Sequence, residues 1–332
     1  MAPRYLLSID GGGIRGILPV CALMKLEEIT GRLTRETFSF VAGTSTGAIL
    51  AAAVAAGIPA ARLLDLYRLR GREIFSPRPP WNVIKRAARG FMYSTGTLRR
   101  ILGDAFGQAS SWTLNDSPID LLLTAKGLDG KPWYFVKDKP VNGRATGRLG
   151  LLDCATASAA APTYFNPWMV GGAPELGALV DGGVGVTGNP VYQACIEAFC
   201  YTGEYEPGNT TVVSLGTGRF RTGGCQPRTL WGWLQWVMAE LLRAPEEQQT
   251  EAARRQFPQM RFHRFDADIA ALDPALAKPI DMDDVGSVDK LAAYGRAFAE
   301  SIDWEGVLGL ARVGQAVWPA QAGGTACPTH MK

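Results

Sequence analysis

The sharpest chemical signal in the chain is Gly43-Thr44-Ser45-Thr46-Gly47. It follows an apolar run (38–42) and opens an alanine-rich stretch (47–56) closed by Gly57 and Pro59. In that setting a serine sits on a sharp strand-to-helix turn, with its hydroxyl exposed for attack on a carbonyl. Gly43 and Gly47 leave room for a crowded turn. Ala48, Ala51 and Ala52 let the following helix pack closely beneath it. The helix N-terminus adds positive partial charge beside the serine oxygen. The plainer alternative is a tight turn in which Ser45 only caps a helix.

A second glycine-rich turn, Asp10-Gly11-Gly12-Gly13-Ile14-Arg15-Gly16, also lies between a strand-like run and a helical stretch. Consecutive glycines let backbone N–H groups converge on one point without side-chain obstruction. Gly11, Gly12 and Gly13 would so cradle the oxyanion of an acyl-transfer intermediate, with Arg15 adding positive charge. Gly11, Gly13 and Gly16 also fit the GxGxxG fingerprint of dinucleotide-binding proteins. That fingerprint needs an acid at the end of the second strand. Here that strand runs into Gly43-Thr44-Ser45, and Glu36 stands at its beginning, the wrong end to meet a ribose. The dinucleotide site is therefore the weaker alternative.

A serine nucleophile needs a base, and the chain has only two histidines, His263 and His330. His330 lies in a Pro-, Gly-, Ala- and Thr-rich tail (319–332) expected to be disordered. His263 sits in an alternating stretch that reads as an edge strand. Neither suits a triad, and no metal-ligand spacing is present. A carboxylate remains. Asp181-Gly182-Gly183, after Leu179-Val180, presents one at an open turn. Partial burial would raise its pKa and make it a better proton acceptor.

These motifs together resemble the patatin-like phospholipase family, which is marked by a DGGGxRG loop, a GxSxG elbow and a late DGG aspartate. The matches occur here in that order, and Ala157-Ser158-Ala159-Ala160-Ala161-Pro162-Thr163-Tyr164-Phe165 resembles a further family segment. The resemblance covers about residues 5–190. It implies Ser45 as nucleophile, Asp181 as its base, and an oxyanion site at Gly11, Gly12, Gly13 and Arg15. It also implies a phospholipid membrane as substrate and no cofactor. The second half resembles, more loosely, the phospholipase effectors of cyclic-nucleotide-based antiphage defence, through Gly216-Thr217-Gly218, a Trp-rich helix and Asp281-Met282-Asp283-Asp284. That implies a cyclic di- or trinucleotide activator. The alternatives are a constitutive lipid hydrolase and a non-catalytic binding module on the same fold.

The elements that must position these residues read as strand, Gly-rich turn and helix, repeated. Residues 5–10 form a buried strand, 11–16 a turn, and 18–29 a helix with apolar residues at helical spacing. A second strand (38–42) leads into the helix of 47–56. Residues 121–125 and 133–136 flank a hairpin at Asp129-Gly130, and 212–215 form another central strand. Such alternation predicts a three-layer α/β/α fold with a mostly parallel sheet, in one domain over 1–318. Residues 75–81 read as a Pro-rich surface loop.

The rest of the chain bounds the partners. Of its 332 residues 47% are hydrophobic and 20% charged, with net charge +3, which excludes a wholly disordered chain and gives no footprint of a nucleic-acid polymer. No secretory signal is expected, as no charged region, apolar stretch and cleavage site lie ahead of the first strand-like run. The run 48–58 is far short of the roughly 20 residues that span a bilayer. Six scattered cysteines read as reduced, buried thiols. A cytoplasmic protein with peripheral membrane contact, which could self-associate, fits these observations. Two segments could provide that contact. One is the basic stretch with Arg68, Arg70, Arg72, Arg78, Lys85, Arg86, Arg89, Arg99 and Arg100. The other is the helix of 229–243 with Trp231, Trp233 and Trp236. Each also reads as an ordinary solvated or core-packed helix.

Overall fold

A computed structural model describes residues 3–76, 90–140, 145–219, 233, 246–274, 276 and 280–310. Its centre is a sheet of β1 (Arg4–Ile9), β2 (Phe40–Gly43), β4 (Asp120–Gly127), β5 (Pro132–Val136), β7 (Leu179–Asp181), β8 (Thr210–Leu215) and β9 (Arg261–Phe265). Its order is β5-β4-β2-β1-β8-β9, with β7 also paired to β4. From β4 to β9 every neighbour is parallel. β5 and β7 run antiparallel to β4. The sheet is therefore mixed and mostly parallel. β3 (Phe91–Tyr93) and β6 (Thr163–Phe165) form a separate two-stranded parallel ribbon.

Both faces of the sheet are buried, which explains why its strands read as near-continuous apolar runs. Along β1, Leu7 and Ile9 face one core, together with Val41, Leu121, Leu123 and Val213. Leu6 faces the other, with Phe40, Ala42, Leu122 and Val212. The first core is covered by the helices Ile17–Thr30, Thr46–Ala56, Leu151–Ser158 and Val288–Glu300. Val191–Ile196 and the helix of 246–256 cover the second. These are the three expected layers. The helix Thr46–Ala56 is buried almost all round, so its alanines are what allow it to fit between sheet and outer helices.

Some boundaries differ from expectation. β2 starts at Phe40 because the Phe38 N–H donates to the Thr34 carbonyl at 3.0 Å and ends a short helix, Thr34–Thr37. The Phe38 ring packs edge-on against Tyr5 and Trp304. A helical run through Ala60–Asp65, a π-type turn Leu66–Arg70 and Gly71–Ile74 carries no clear sequence signal. The expected surface loop of 75–81 is corrected at its start. Phe75 packs against Tyr93 and Phe165, with ring centroids 5.4 and 6.0 Å away. Residues 77–81, the tail of 319–332 with His330, and the helix of 229–243 apart from exposed Trp233 lie outside the described residues.

Candidate active site

Strand register explains why Ser45 and Asp181 meet. One edge of β4 is taken by β5, which pairs with Leu122–Lys126. The other edge is shared. β2 pairs along it up to Gly43↔Leu123, and β7 enters from the opposite end and stops at Asp181↔Ala125. The two strand ends therefore face each other across two residues of β4, about 7 Å. The turn after Gly43 fills that gap and sets the Ser45 hydroxyl beside the Asp181 carboxylate, close enough to lower its pKa.

The turn is as crowded as its glycines suggest. A Cβ on Gly43 would lie 2.1 Å from the Gly47 carbonyl oxygen, and one on Gly47 would lie 2.2 Å from that of Ile9. Ser45 has φ 57° and ψ −125°, a left-handed conformation costly for a side-chain-bearing residue by about 1–3 kcal/mol. Neighbouring bonds hold it there. Its N–H donates to Ser158 Oγ at 3.0 Å, and Thr44 Oγ1 donates to the Thr187 carbonyl at 2.5 Å. Thr124 Oγ1 lies 2.7 Å from Thr44 Oγ1 on β4.

Asp181 is 5% exposed. Burial pushes its pKa from 3.8 up to about 6, against the opposing pull of the nearby Ser45 hydroxyl and of a hydrogen bond from the Gly183 N–H. That bond is 2.7 Å long. The result is a carboxylate ionised at neutral pH yet a better proton acceptor than an exposed one.

The loop after β1 approaches the same point, since a Cβ on Gly11 would lie 3.1 Å from Ser45 Cβ. Its peptide planes are tied from the far side. Thr217 Oγ1 donates to the Gly11 carbonyl at 2.6 Å. The Gly12 carbonyl accepts from Arg15 Nε at 3.3 Å and from the Arg15 N–H at 3.2 Å. In a trans peptide the following N–H points opposite to the carbonyl. The Gly12 and Gly13 N–H groups are thus turned away from these anchors, and neither has a partner among the described residues. The expectation for Gly11 is corrected, because its N–H is committed to the Gly188 carbonyl at 3.0 Å. Arg15 braces the loop, with Nη1 3.4 Å from the Gly218 carbonyl.

Behind the loop lies a buried charge cluster. Arg264 on β9 reaches across β8 to Asp10 at 2.6 Å and to Ser214 Oγ at 2.9 Å. Burial pushes the Asp10 carboxyl up while Arg264 draws it down. In front, Gly13, Ser45, Thr46 and Met282 border a cavity. The remaining wall is mainly Ile49, Leu66, Ile74, Phe75, Leu98, Leu102, Tyr164 and Phe165. A serine hydroxyl, a buried carboxylate, two N–H groups without a partner among the described residues and an apolar cavity thus share one point at the C-terminal edge of the parallel strands. Loops at that edge carry ligands in open α/β sheets.

A sequence profile described as patatin-like phospholipase matches residues 7–194, more than half of the chain. The chain belongs to the patatin-like phospholipase family. It is 33% identical over 208 residues to a cGAMP-activated phospholipase of Vibrio cholerae, covering 58% of this chain and 57% of that protein. An Escherichia coli cGAMP-activated phospholipase is 31% identical over 208 residues, 59% of this chain and 56% of its own length. Human calcium-independent phospholipase A2-gamma is 30% identical over 229 residues, 65% of this chain and 28% of that protein. The chain therefore spans little more than half of the bacterial relatives it matches.

Within this patatin-like fold the other sequence candidates lie away from Ser45 and Asp181. His263 is on the edge strand β9, opposite Val213 and two residues below the strand ends, its ring stacked on Phe265. The basic stretch is partly neutralised. Arg68 lies 3.3 Å from Asp289, Arg99 2.8 Å from Asp153, and Arg70 and Arg100 share Glu73 and Asp104. Cys21, Cys154 and Cys195 are buried free thiols, whereas Cys200 is exposed. Among the described residues no helix is long and apolar enough to cross a membrane. No group of three or more His, Cys, Asp or Glu there is arranged to hold a metal ion. Sequence reading missed Thr217 and Ser158 as anchors of the loop and elbow. Ser158 lies in a segment that resembled the family, so a signal for it was present.

Proposed function

We propose that this chain is a serine acyl hydrolase that cleaves fatty-acyl esters of membrane glycerophospholipids. The observation that carries the reading is the Ser45 hydroxyl set beside the buried Asp181 carboxylate, with Ser45 on the wall of an apolar cavity. Asp181 takes the proton from Ser45 Oγ as that oxygen attacks the ester carbonyl. The Gly12 and Gly13 N–H groups stabilise the negative charge on the carbonyl oxygen. The C–O bond to glycerol breaks, and Asp181 returns the proton to the departing lysophospholipid oxygen. Water, deprotonated by Asp181, then attacks the acyl-Ser45 ester and releases the fatty acid with Ser45 restored. The acyl chain lies in the cavity, where burial contributes about 0.8 kcal/mol per methylene. Membrane contact is part of this reading, as the substrate is a bilayer.

The bacterial relatives named as cGAMP-activated support a second element, activation by a cyclic di- or trinucleotide. The test is release of fatty acid from phospholipid vesicles, with and without a panel of such nucleotides. Ser45→Ala and Asp181→Asn should each lower it by at least about 10³-fold, as loss of one member of such a unit does. Near wild-type activity in either variant would refute the dyad. Equal rates with and without every nucleotide would leave the constitutive hydrolase instead.

A further inference from the structure

Gly216-Thr217-Gly218 stands out in the sequence, yet the chemistry above uses none of its atoms on the substrate. The turn is held rigidly. The Gly216 N–H donates to the Phe265 carbonyl at 2.8 Å, and the Gly218 N–H to Asp266 Oδ1 at 2.8 Å. A Cβ on Gly216 would fall 2.2 Å from that same Asp266 oxygen. Thr217, 4% exposed, is thereby fixed against the glycine loop. A Cβ on Gly12 would lie 2.2 Å from Thr217 Oγ1 and 2.6 Å from Thr217 Cβ, so the contact permits only glycine there.

We infer that Thr217 is a positioning residue for the oxyanion site, acting through the Gly11–Gly12 peptide. Gly11 is gripped at both ends, its N–H by the Gly188 carbonyl and its carbonyl by Thr217 Oγ1. A peptide held by its oxygen cannot rotate, and its N–H, that of Gly12, must point the opposite way, away from Thr217. The hydroxyl thus sets the direction of a donor it does not touch. Arg15 does the same for the Gly12–Gly13 peptide and is itself anchored on the Gly218 carbonyl. The turn after β8 therefore orients both donors. Without the hydroxyl, the Gly11 carbonyl faces a methyl group, and the peptide is free to turn toward another donor.

The inference rests on the acyl-hydrolase reading, and its test separates the two. Thr217→Val keeps shape and removes the hydrogen bond. On a soluble p-nitrophenyl ester, its kcat should fall about 100-fold, the usual cost of misplacing one group by about 1 Å, with KM within about twofold because ground-state contacts are kept. Labelling of Ser45 by a fluorophosphonate should slow in step, since its phosphoryl oxygen occupies the oxyanion position. Thr217→Ser should restore both rates to within a few-fold. Thr217→Cys differs from it by one atom and donates poorly, so it should resemble Val and keeps the comparison open if Val fails to fold. Unchanged kcat in Val and Cys, a loss confined to KM, or a Ser variant no better than Cys would overturn the inference. Failure of wild-type Ser45 to label at all would instead overturn the hydrolase reading.

Discussion

The buried position of Asp181 makes activity and stability respond to acid in opposite directions. Burial raises its pKa from 3.8 to about 6. If the ionised form is the base, kcat/KM follows the ionised fraction in the free enzyme. At pH 5 that fraction is about one tenth, and each further unit downward costs about tenfold. An ordinary carboxylate would still be more than about 90% ionised at pH 5. Stability runs the other way. Between the unfolded value near 3.8 and the folded value near 6, the folded chain holds a proton that the unfolded chain lacks. Stability therefore rises as pH falls through that window, by about 3 kcal/mol for Asp181 alone. Asp10 and Glu246, also raised by burial, act in the same sense. His263, whose pKa burial lowers, opposes them from a half-buried site. The assay is initial rates on a soluble ester from pH 4.5 to 8.5, with thermal unfolding at each pH. The expected result is a single limb with apparent pKa about 6 and a Tm that holds or rises down to about pH 5. A flat profile down to pH 5, or a Tm that falls in step with the rate, would refute the assignment of a buried, reversibly neutralised base.

Other perturbations separate the roles of the glycines and of the cavity. Gly12→Ala should lower kcat on the soluble ester by about 10² or more, because its Cβ meets a fixed Thr217 and the loop must shift. Gly31→Ala, at φ 64° with open space around it, should leave kcat unchanged and lower stability by about 1 kcal/mol, read as Tm. Ile49→Phe should narrow the cavity one helical turn beyond Ser45. Its rate on long-chain p-nitrophenyl esters should fall relative to short-chain ones, whereas an equal fall on both would remove the acyl chain from that cavity.

Local sequence determined a good deal of this. The turns at Gly43–Gly47 and Gly11–Gly13 were legible because steric demands on the backbone leave few residue types, and those demands act over a few neighbours. The helices Ile17–Thr30 and Thr46–Ala56 and the strands β1, β4, β5 and β8 were legible from apolar pattern and turn residues. The scarcity of histidine already pointed to a carboxylate base. What it could not supply was everything fixed by register or by groups far apart in the chain. Asp181 meets Ser45 only because β2 and β7 share one edge of β4 from opposite ends. The pKa of that aspartate depends on burial by distant layers. Gly11 loses its donor to Gly188, and Gly12 gains its direction from Thr217, 206 residues further along than Gly11. Sequence names the groups that can react, because chemistry belongs to residue types. Only the tertiary structure decides which N–H points inward and which carboxylate is dry, because direction and solvation are set by contacts between distant segments.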